Sequence, residues 1–200
     1  YKRQSHKKGI SSCQLARDIS VTQKTAWFML QRIRECFYCE NNHQLDGEVE
    51  LDESFVGGKN KNRHANKKVK NSQGRSFKDK TPVLGMLKRG GKVVCRVVKD
   101  TSKKSLTVPI LKTIKRTATL FTDEWGGYDT VGKLYTRYIV DHSSGQYVYG
   151  DATTNRIESF WSILKRGIIG IYHKTSRKHL HRYVNEFVFR YNTPVSYTHL

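Results

Sequence analysis

The sequence contains no run that approaches about 18 apolar residues, which excludes a membrane-spanning helix. It shows no signal-peptide pattern, and its four cysteines, at positions 13, 36, 39 and 95, are scattered. This cysteine usage fits a reducing cytoplasm better than a disulfide framework. Because the chain begins without Met in a polar segment, we expect it to be a fragment of a longer protein.

Acidic residues are scarce, with 17 Asp and Glu against 37 Lys and Arg, and the formal net charge is +20. A basic excess of this size indicates a polyanionic partner, because Lys and Arg that contact phosphates release counterions. A length of 200 residues allows one good-sized domain and a second, smaller one.

The N-terminal segment has the pattern of two short helices. Residues 11–18 predict a helix that begins at a Ser cap, residues 19–21 a tight turn, and residues 22–34 a second helix capped by Thr22. This layout is typical of a helix-turn-helix, whose second helix enters the major groove. Gln23, Lys24 and Thr25 would then contact bases or phosphates. A helical hairpin that serves only as a packing module is the alternative.

Two details of this segment can be compared with a structure. We expect the apolar residues of the second helix to face inward, and they are Ala26, Met29, Leu30 and Ile33. Ser20 occupies the turn position that glycine often holds, so it must adopt a backbone conformation that is awkward for a residue with a Cβ.

Residues 47–56 alternate as a strand does, which places Glu48, Glu50 and Asp52 on one face. Residues 57–81 follow, with nine Lys or Arg against one Asp. This composition predicts a loop that either contacts phosphates or makes no contacts at all.

The middle of the chain alternates between strand and helix patterns. Runs at 82–88 and 92–99 predict a hairpin, and runs at 118–122 and 136–140 predict two further strands. Residues 102–115 have a helical pattern, in which Pro109 is expected to cause a kink or a break. The order of elements predicts a mixed α/β fold.

Residues 155–167 predict a helix, with a Thr-Thr-Asn run at 153–155 that can cap it and Gly167 near its end. One apolar arc of this helix would face a core, and it contains Ile157, Phe160, Trp161, Leu164 and Ile168. Glu158 and Lys165 lie on the edge of that arc, either as functional side chains or simply as solvated ones. Residues 176–191 predict a further amphipathic helix.

Three acids occupy different elements of this pattern. Asp52 lies within the first strand, Asp123 ends the fourth, and Glu158 is on the later helix. Three carboxylates in one place repel each other unless cations lie between them. A pair of Mg²⁺ or Mn²⁺ ions suits such oxygen ligands and phosphodiester chemistry, and Lys165 would hold a nearby phosphate.

Short motifs follow one another along almost the whole chain: Gly9–Ser12, Thr22–Trp27, Leu51–Glu53, Gly57–Lys59, Thr122–Trp125, Tyr128, Thr154–Trp161, Leu164–Gly167, Arg177–Leu180 and Phe187–Asn192. In these motifs the sequence resembles the DDE-type transposases of bacterial insertion sequences, in the group that joins a helix-turn-helix to a ribonuclease H-like catalytic domain.

The resemblance implies a helix-turn-helix at 1–38 and a ribonuclease H-like domain at 45–192, a mixed sheet with flanking helices. It implies Asp52, Asp123 and Glu158 as ligands of Mg²⁺ or Mn²⁺, and Lys165 as an auxiliary phosphate contact. Asn155, one turn from Glu158, is the alternative third ligand.

The implied activity is DNA cleavage at transposon ends followed by strand transfer, by a homo-oligomer in the nucleoid region of the cytoplasm. The expected DNA contacts are Gln23, Lys24, Thr25, Lys59, Lys61, Arg63, Lys67, Lys68 and Arg166. A DNA-binding protein without chemistry and a structure-specific nuclease of the same fold are the alternatives.

Two features depart from the family pattern. Members of this group usually carry a zinc ribbon ahead of the helix-turn-helix, and this sequence starts after the position where it would lie. Residues 193–200 match nothing expected there, and we interpret them as a non-native tail.

Overall fold

A five-stranded mixed sheet with helices packed on both faces forms the centre of the protein. The computed structural model describes residues 9–58, 64–70, 76, 79–140 and 154–193. This architecture confirms the prediction of a mixed α/β fold. In the described part of the chain, no helix is both long and apolar enough to cross a membrane.

The main helices and strands, in chain order, are α1 (Ser12–Asp18), α2 (Gln23–Cys36), β1 (Glu48–Val56), β2 (Thr81–Lys88), β3 (Val93–Val97), α3 (Lys103–Thr113), β4 (Thr119–Thr122), α4 (Asp129–Gly132), β5 (Thr136–Ile139), α5 (Asn155–Gly167) and α6 (Leu180–Asn192). Short 3₁₀ turns at Phe37–Asn41, Ala65–Lys67, Gly126–Tyr128 and Arg177–His179 and a π turn at Ile168–Tyr172 complete the described elements. Helix α3 runs through Pro109 without the break that its sequence allows.

The strand order is β3-β2-β1-β4-β5. β1 pairs antiparallel with β2 and parallel with β4, while β5 extends the sheet parallel to β4. Because β1 and β4 are neighbours, the segments that carry Asp52 and Asp123 run side by side in the same direction. Asp52 lies opposite Gly85 of β2.

The alternation of β1 divides its side chains between two cores. Val49 and Leu51 enter a core with α3, whereas Glu50 and Asp52 face α5 on the other side. α5 and α6 close the second core, in which the predicted apolar arc of α5 is buried. The hydrophobic pattern of α5 therefore determines which of its faces meets the sheet.

The two N-terminal helices begin where the sequence predicts. The side chains of Ser11 and Thr22 cap α1 and α2 by accepting from the backbone N–H groups of Gln14 and Thr25, at 3.1 and 3.2 Å. Ser20, in the turn, has φ 55°, the left-handed conformation that its position required.

The inward face of α2 differs from its prediction. Ala26 and Leu30 pack on α1 as expected, but Met29 is 37% exposed and Ile33 45% exposed. Gln31 and Arg34 are buried instead. The reason is that α2 has a second partner, α6, which supplies polar groups for these polar side chains.

A buried ion pair joins α2 to α6. Nε of Arg34 lies 2.7 Å from a carboxylate oxygen of Glu186, and both side chains are almost fully buried. The guanidinium also lies over the rings of Tyr183 and Tyr172. Burial alone would lower the pKa of Arg34, but the charge of Glu186 and the Tyr172 hydroxyl raise it above its ordinary value.

Candidate active site

A cavity of about 890 Å³ lies between the end of β1 and α5. Its walls come from segments that are far apart in the sequence: residues 51–55 of β1, Lys80, Asp123, and residues of α5 and the π turn that follows it. Among the lining residues are Asp52, Asp123, Glu158, Lys165 and Arg166. The structure therefore brings five of the sequence-predicted site residues to one cavity.

The carboxylate of Asp52 is held from two sides. Oδ2 accepts a 2.9 Å hydrogen bond from the indole Nε1 of Trp161 on α5, and Oδ1 accepts from the backbone N–H of Glu53 at 2.8 Å. Trp161 reaches this position because Gly85, opposite Asp52, leaves room for the indole ring. The orientation of the Asp52 carboxylate is thus linked to the packing of α5 on the sheet.

Asp123 follows directly after β4, and its backbone is fixed by neighbouring polar groups. Arg137 donates to the carbonyl oxygen of Asp123 at 3.0 Å, and the Thr122 hydroxyl donates to the same oxygen at 2.8 Å. A carboxylate oxygen of Asp123 accepts from the backbone N–H of Trp125 at 3.1 Å. These contacts keep the Asp123 side chain at the end of the parallel strand pair.

Tyr128 lies buried behind the acidic side of the cavity. Burial raises the pKa of its hydroxyl well above the usual value, and the carboxylates of Glu53, Asp52 and Asp123 raise it further. A hydroxyl that stays protonated can donate a hydrogen bond but cannot add another negative charge. Tyr128 therefore adds no negative charge to the acidic groups at this edge of the sheet.

The opposite wall belongs to α5. Glu158, Lys165 and Arg166 are exposed to the cavity, and Arg166 is anchored by a 3.2 Å hydrogen bond from its Nε to the carbonyl of Ser162. Asn155, the alternative third ligand, is exposed at the first position of α5 and is not among the residues that line the cavity. Of these two residues, Glu158 is the one that lines the cavity.

The cavity has the donor chemistry of a hard-cation site. Its described lining residues offer carboxylate, hydroxyl and backbone oxygens and neither a thiol nor an imidazole, which is the set that Mg²⁺ and Mn²⁺ prefer. Within the described residues, however, no group of three or more His, Cys, Asp or Glu is arranged to hold a metal ion. Asp52, Asp123 and Glu158 share a cavity without forming such a group.

Comparison with known proteins identifies the family. The model of the ISXO2-like transposase domain matches residues 44–192. The chain belongs to this family. It is also 27% identical, over 186 residues, to an uncharacterized protein in transposable element ISH50 of Halobacterium salinarum, an alignment that covers 88% of this chain and 63% of the relative. No solved structure matches the chain.

The predicted resemblance to an insertion-sequence transposase is thereby confirmed. The ISXO2-like domain contains the whole cavity, whereas α1 and α2 precede the matched residues. The chain spans less than two thirds of the length of its relative from ISH50.

The residues that we expect to contact DNA lie in different parts of the structure, and the first group is at the start of α2. Lys24 is exposed, but Gln23 donates a 2.8 Å hydrogen bond to the Ser12 hydroxyl on α1, and the hydroxyls of Thr25 and Thr22 lie 2.9 Å apart. Two of the three residues at the start of α2 are thus engaged with their own helix pair. All three side chains are exposed.

The basic segment after β1 is described only in part. Lys68 is exposed, and Lys67 ends the short 3₁₀ turn Ala65–Lys67. Lys59, Lys61 and Arg63 lie outside the described residues. Arg166 is therefore the expected DNA contact that the structure brings to the cavity.

Sequence reasoning missed two residues at the site. Trp161 was assigned to the apolar arc alone, although an indole has an N–H that needs a partner when it is buried. Lys80 was one of nine basic residues in a long segment, and only its position beside β2 brings it to the cavity. The polar end of Trp161 was the one available signal.

Proposed function

We propose that this ISXO2-like transposase catalyses metal-dependent DNA strand cleavage at transposon ends and transfer of the cut strand into target DNA. The observation that carries this proposal is the cavity, which is lined by three acids, on β1, directly after β4 and on α5, and by basic side chains of α5. Phosphodiester chemistry needs both kinds of side chain. The acids hold the metal ions, and the basic side chains stabilise the negative charge that develops on the phosphate during displacement.

Asp52, Asp123 and Glu158 would hold one or two Mg²⁺ or Mn²⁺ ions. When bound, such ions supply an activated nucleophile and stabilise the leaving oxygen. The role of the chain is then to place the groups: Trp161 orients the Asp52 carboxylate, while Lys165 and Arg166 hold the DNA phosphate by charge-assisted contacts.

The fold supports this proposal in two further ways. The order β3-β2-β1-β4-β5, with β1 and β4 parallel, matches a ribonuclease H-like arrangement in which the acids of the first and fourth strands meet at one edge. The capped helices α1 and α2, with the left-handed turn at Ser20 between them, fit a helix-turn-helix. Transposon ends, target DNA and further copies of the chain are the partners in this proposal.

The decisive experiment replaces Asp123 by Asn, which keeps the size of the side chain and removes its charge. We expect Asp123→Asn to abolish Mg²⁺- or Mn²⁺-dependent strand cleavage and to leave DNA affinity largely intact. Asp46→Asn is the matched control, because Asp46 is 43% exposed at its side chain and ion-pairs with Lys115 at 3.4 Å outside the cavity. Cleavage that survives in Asp123→Asn would contradict the assignment.

A DNA-binding protein without chemistry is the second candidate. It is favoured by the finding that the described acids do not form a group arranged for a metal ion. DNA binding that persists in EDTA, with no cleavage at any concentration of Mg²⁺ or Mn²⁺, would select this candidate. A strand-transfer assay separates the transposase from a nuclease of the same fold, because the nuclease would cut without joining.

A further inference from the structure

The first turn of α5 takes a capping hydrogen bond from the sheet. Thr154 occupies the N-cap position, but its side chain makes no capping hydrogen bond. The backbone N–H of Ile157 instead donates a 3.0 Å hydrogen bond to Oε2 of Glu50 on β1. The N–H groups of a first helical turn have no partner within the helix, and a side chain outside it here fulfils that need.

Glu50 is fully buried, so its carboxylate requires compensation in charge and in hydrogen bonds. Arg89, in the turn after β2, supplies the charge with its Nε at 3.2 Å. Arg89 is itself held by Glu48 at 3.0 Å and lies 3.8 Å over the ring of Phe121 on β4. The Glu50 carboxylate is therefore fixed by the sheet on one side and by α5 on the other.

This contact joins the two segments that carry acids of the cavity. Glu50 precedes Asp52 by two residues on the same face of β1, and Ile157 is the residue directly before Glu158. The bond from Trp161 to Asp52 is a second tie between the same strand and the same helix. Because Ile157 and Trp161 are one turn apart, the two ties fix both the axial position and the rotation of α5.

We propose that Glu50 is a positioning residue, which holds the start of α5 against β1 and thereby sets the location of Glu158 relative to Asp52. Glu50 is not among the residues that line the cavity, so it acts through these neighbours. The effect of Glu50 on catalysis rests on the proposed function, whereas the hydrogen bond between Glu50 and Ile157 does not.

The test compares Glu50→Ala and Glu50→Gln with Glu48→Gln in the full chain. Glu48 is the matched control, because it lies on the same face of β1 and pairs with the same Arg89, but is 54% exposed at its side chain. Hydrogen exchange by mass spectrometry follows the amides at the start of α5, and single-turnover assays follow DNA cleavage. Mn²⁺ affinity and DNA affinity are measured separately.

We expect Glu50→Ala to speed exchange at the start of α5 more than in α6, and to lower cleavage about 10–100-fold, the range seen when groups that orient ligands are lost. DNA affinity should not change. Glu50→Gln keeps an oxygen acceptor for Ile157 and should recover part of the cleavage rate and of the Mn²⁺ affinity. Glu48→Gln keeps an oxygen acceptor for Arg89 and leaves the Glu50–Ile157 bond in place, so its effects should be much smaller than those of the Glu50 variants.

Three results would overturn the inference: unaltered exchange at the start of α5 in Glu50→Ala, faster exchange without any change in cleavage, or equal effects of Glu48→Gln and Glu50→Gln. If the unaltered chain neither binds Mn²⁺ nor cleaves DNA, the proposed function fails. The exchange data then still decide whether Glu50 holds α5, so the two failures are distinguishable.

Discussion

Nε1 of Trp161 donates a 2.9 Å hydrogen bond to Oδ2 of Asp52, and these two residues are 109 positions apart in the chain. The rest of the indole is buried in the core beneath α5, so one side chain serves packing and polar orientation together. The position of Asp52 in the cavity consequently depends on how α5 packs.

Trp161→Phe should lower the rate of DNA cleavage about 10–100-fold, because the variant keeps an aromatic ring but loses the donor that orients Asp52. DNA affinity should stay unchanged, since Trp161 supplies no charge to the phosphates. Trp125→Phe is the control and should leave the rate unaltered, because it removes an indole bond to the backbone carbonyl of Thr101 but keeps the backbone N–H that donates to Asp123. An unaltered cleavage rate in Trp161→Phe would show that Asp52 needs no such orientation.

Gly85→Ala should destabilise the fold by about 1–3 kcal/mol through overpacking. A Cβ at this position would lie 2.5 Å from Cζ2 of Trp161 and 2.8 Å from Cδ1 of Ile157. Urea unfolding measures the change in the free energy of unfolding. Gly58→Ala, where an added Cβ meets nothing within 4 Å, is the control and should have little effect. Equal stability of both variants would contradict the close approach of α5 to β2.

Glu186→Gln should cost about 3 kcal/mol of unfolding free energy, because the buried Arg34 guanidinium loses the carboxylate that compensates its charge. Glu35→Gln offers a matched control, since the Glu35–Arg182 pair also joins α2 to α6 but its carboxylate side chain is 55% exposed. That surface pair should contribute no more than about 1 kcal/mol. Similar losses in both variants would show that burial does not decide the strength of this contact.

Lys24→Ala should weaken DNA binding and reduce the slope of log affinity against log salt by about 1, because one phosphate contact is lost. Lys24 is the exposed basic residue at the start of α2, where the neighbouring Gln23 is hydrogen-bonded to Ser12. Lys112→Ala is the control, because Lys112 is an exposed basic residue in the last turn of α3, and this variant should leave the slope unchanged. A slope that is unaltered in Lys24→Ala would remove α2 from the DNA interface.

The sequence predicts local features of the structure better than contacts between residues that are far apart in the chain. The bounds of α5, its buried apolar arc, the strand that carries Asp52 and the caps at Ser11 and Thr22 were all readable from the sequence. These features depend on residue spacing and on hydrogen bonds within a few positions, which a linear pattern records.

The buried polar contacts were not readable. Met29 and Ile33 were expected to face inward on α2, yet Gln31 and Arg34 are buried because Tyr183 and Glu186, both 152 positions beyond their partners, receive them. In the same way the capping hydrogen bond of α5 comes from Glu50, 107 positions away, and not from the side chain of Thr154, while Thr153 lies outside the described residues.

The sequence by itself thus determined which residues share a face and where most elements begin, because periodicity and capping act over one or two turns. Only the tertiary structure decided which polar groups are buried and which of them meet. Burial of a charge is tolerable only where a partner is in place, and for Glu50 and Arg34 that partner is supplied by a remote part of the chain.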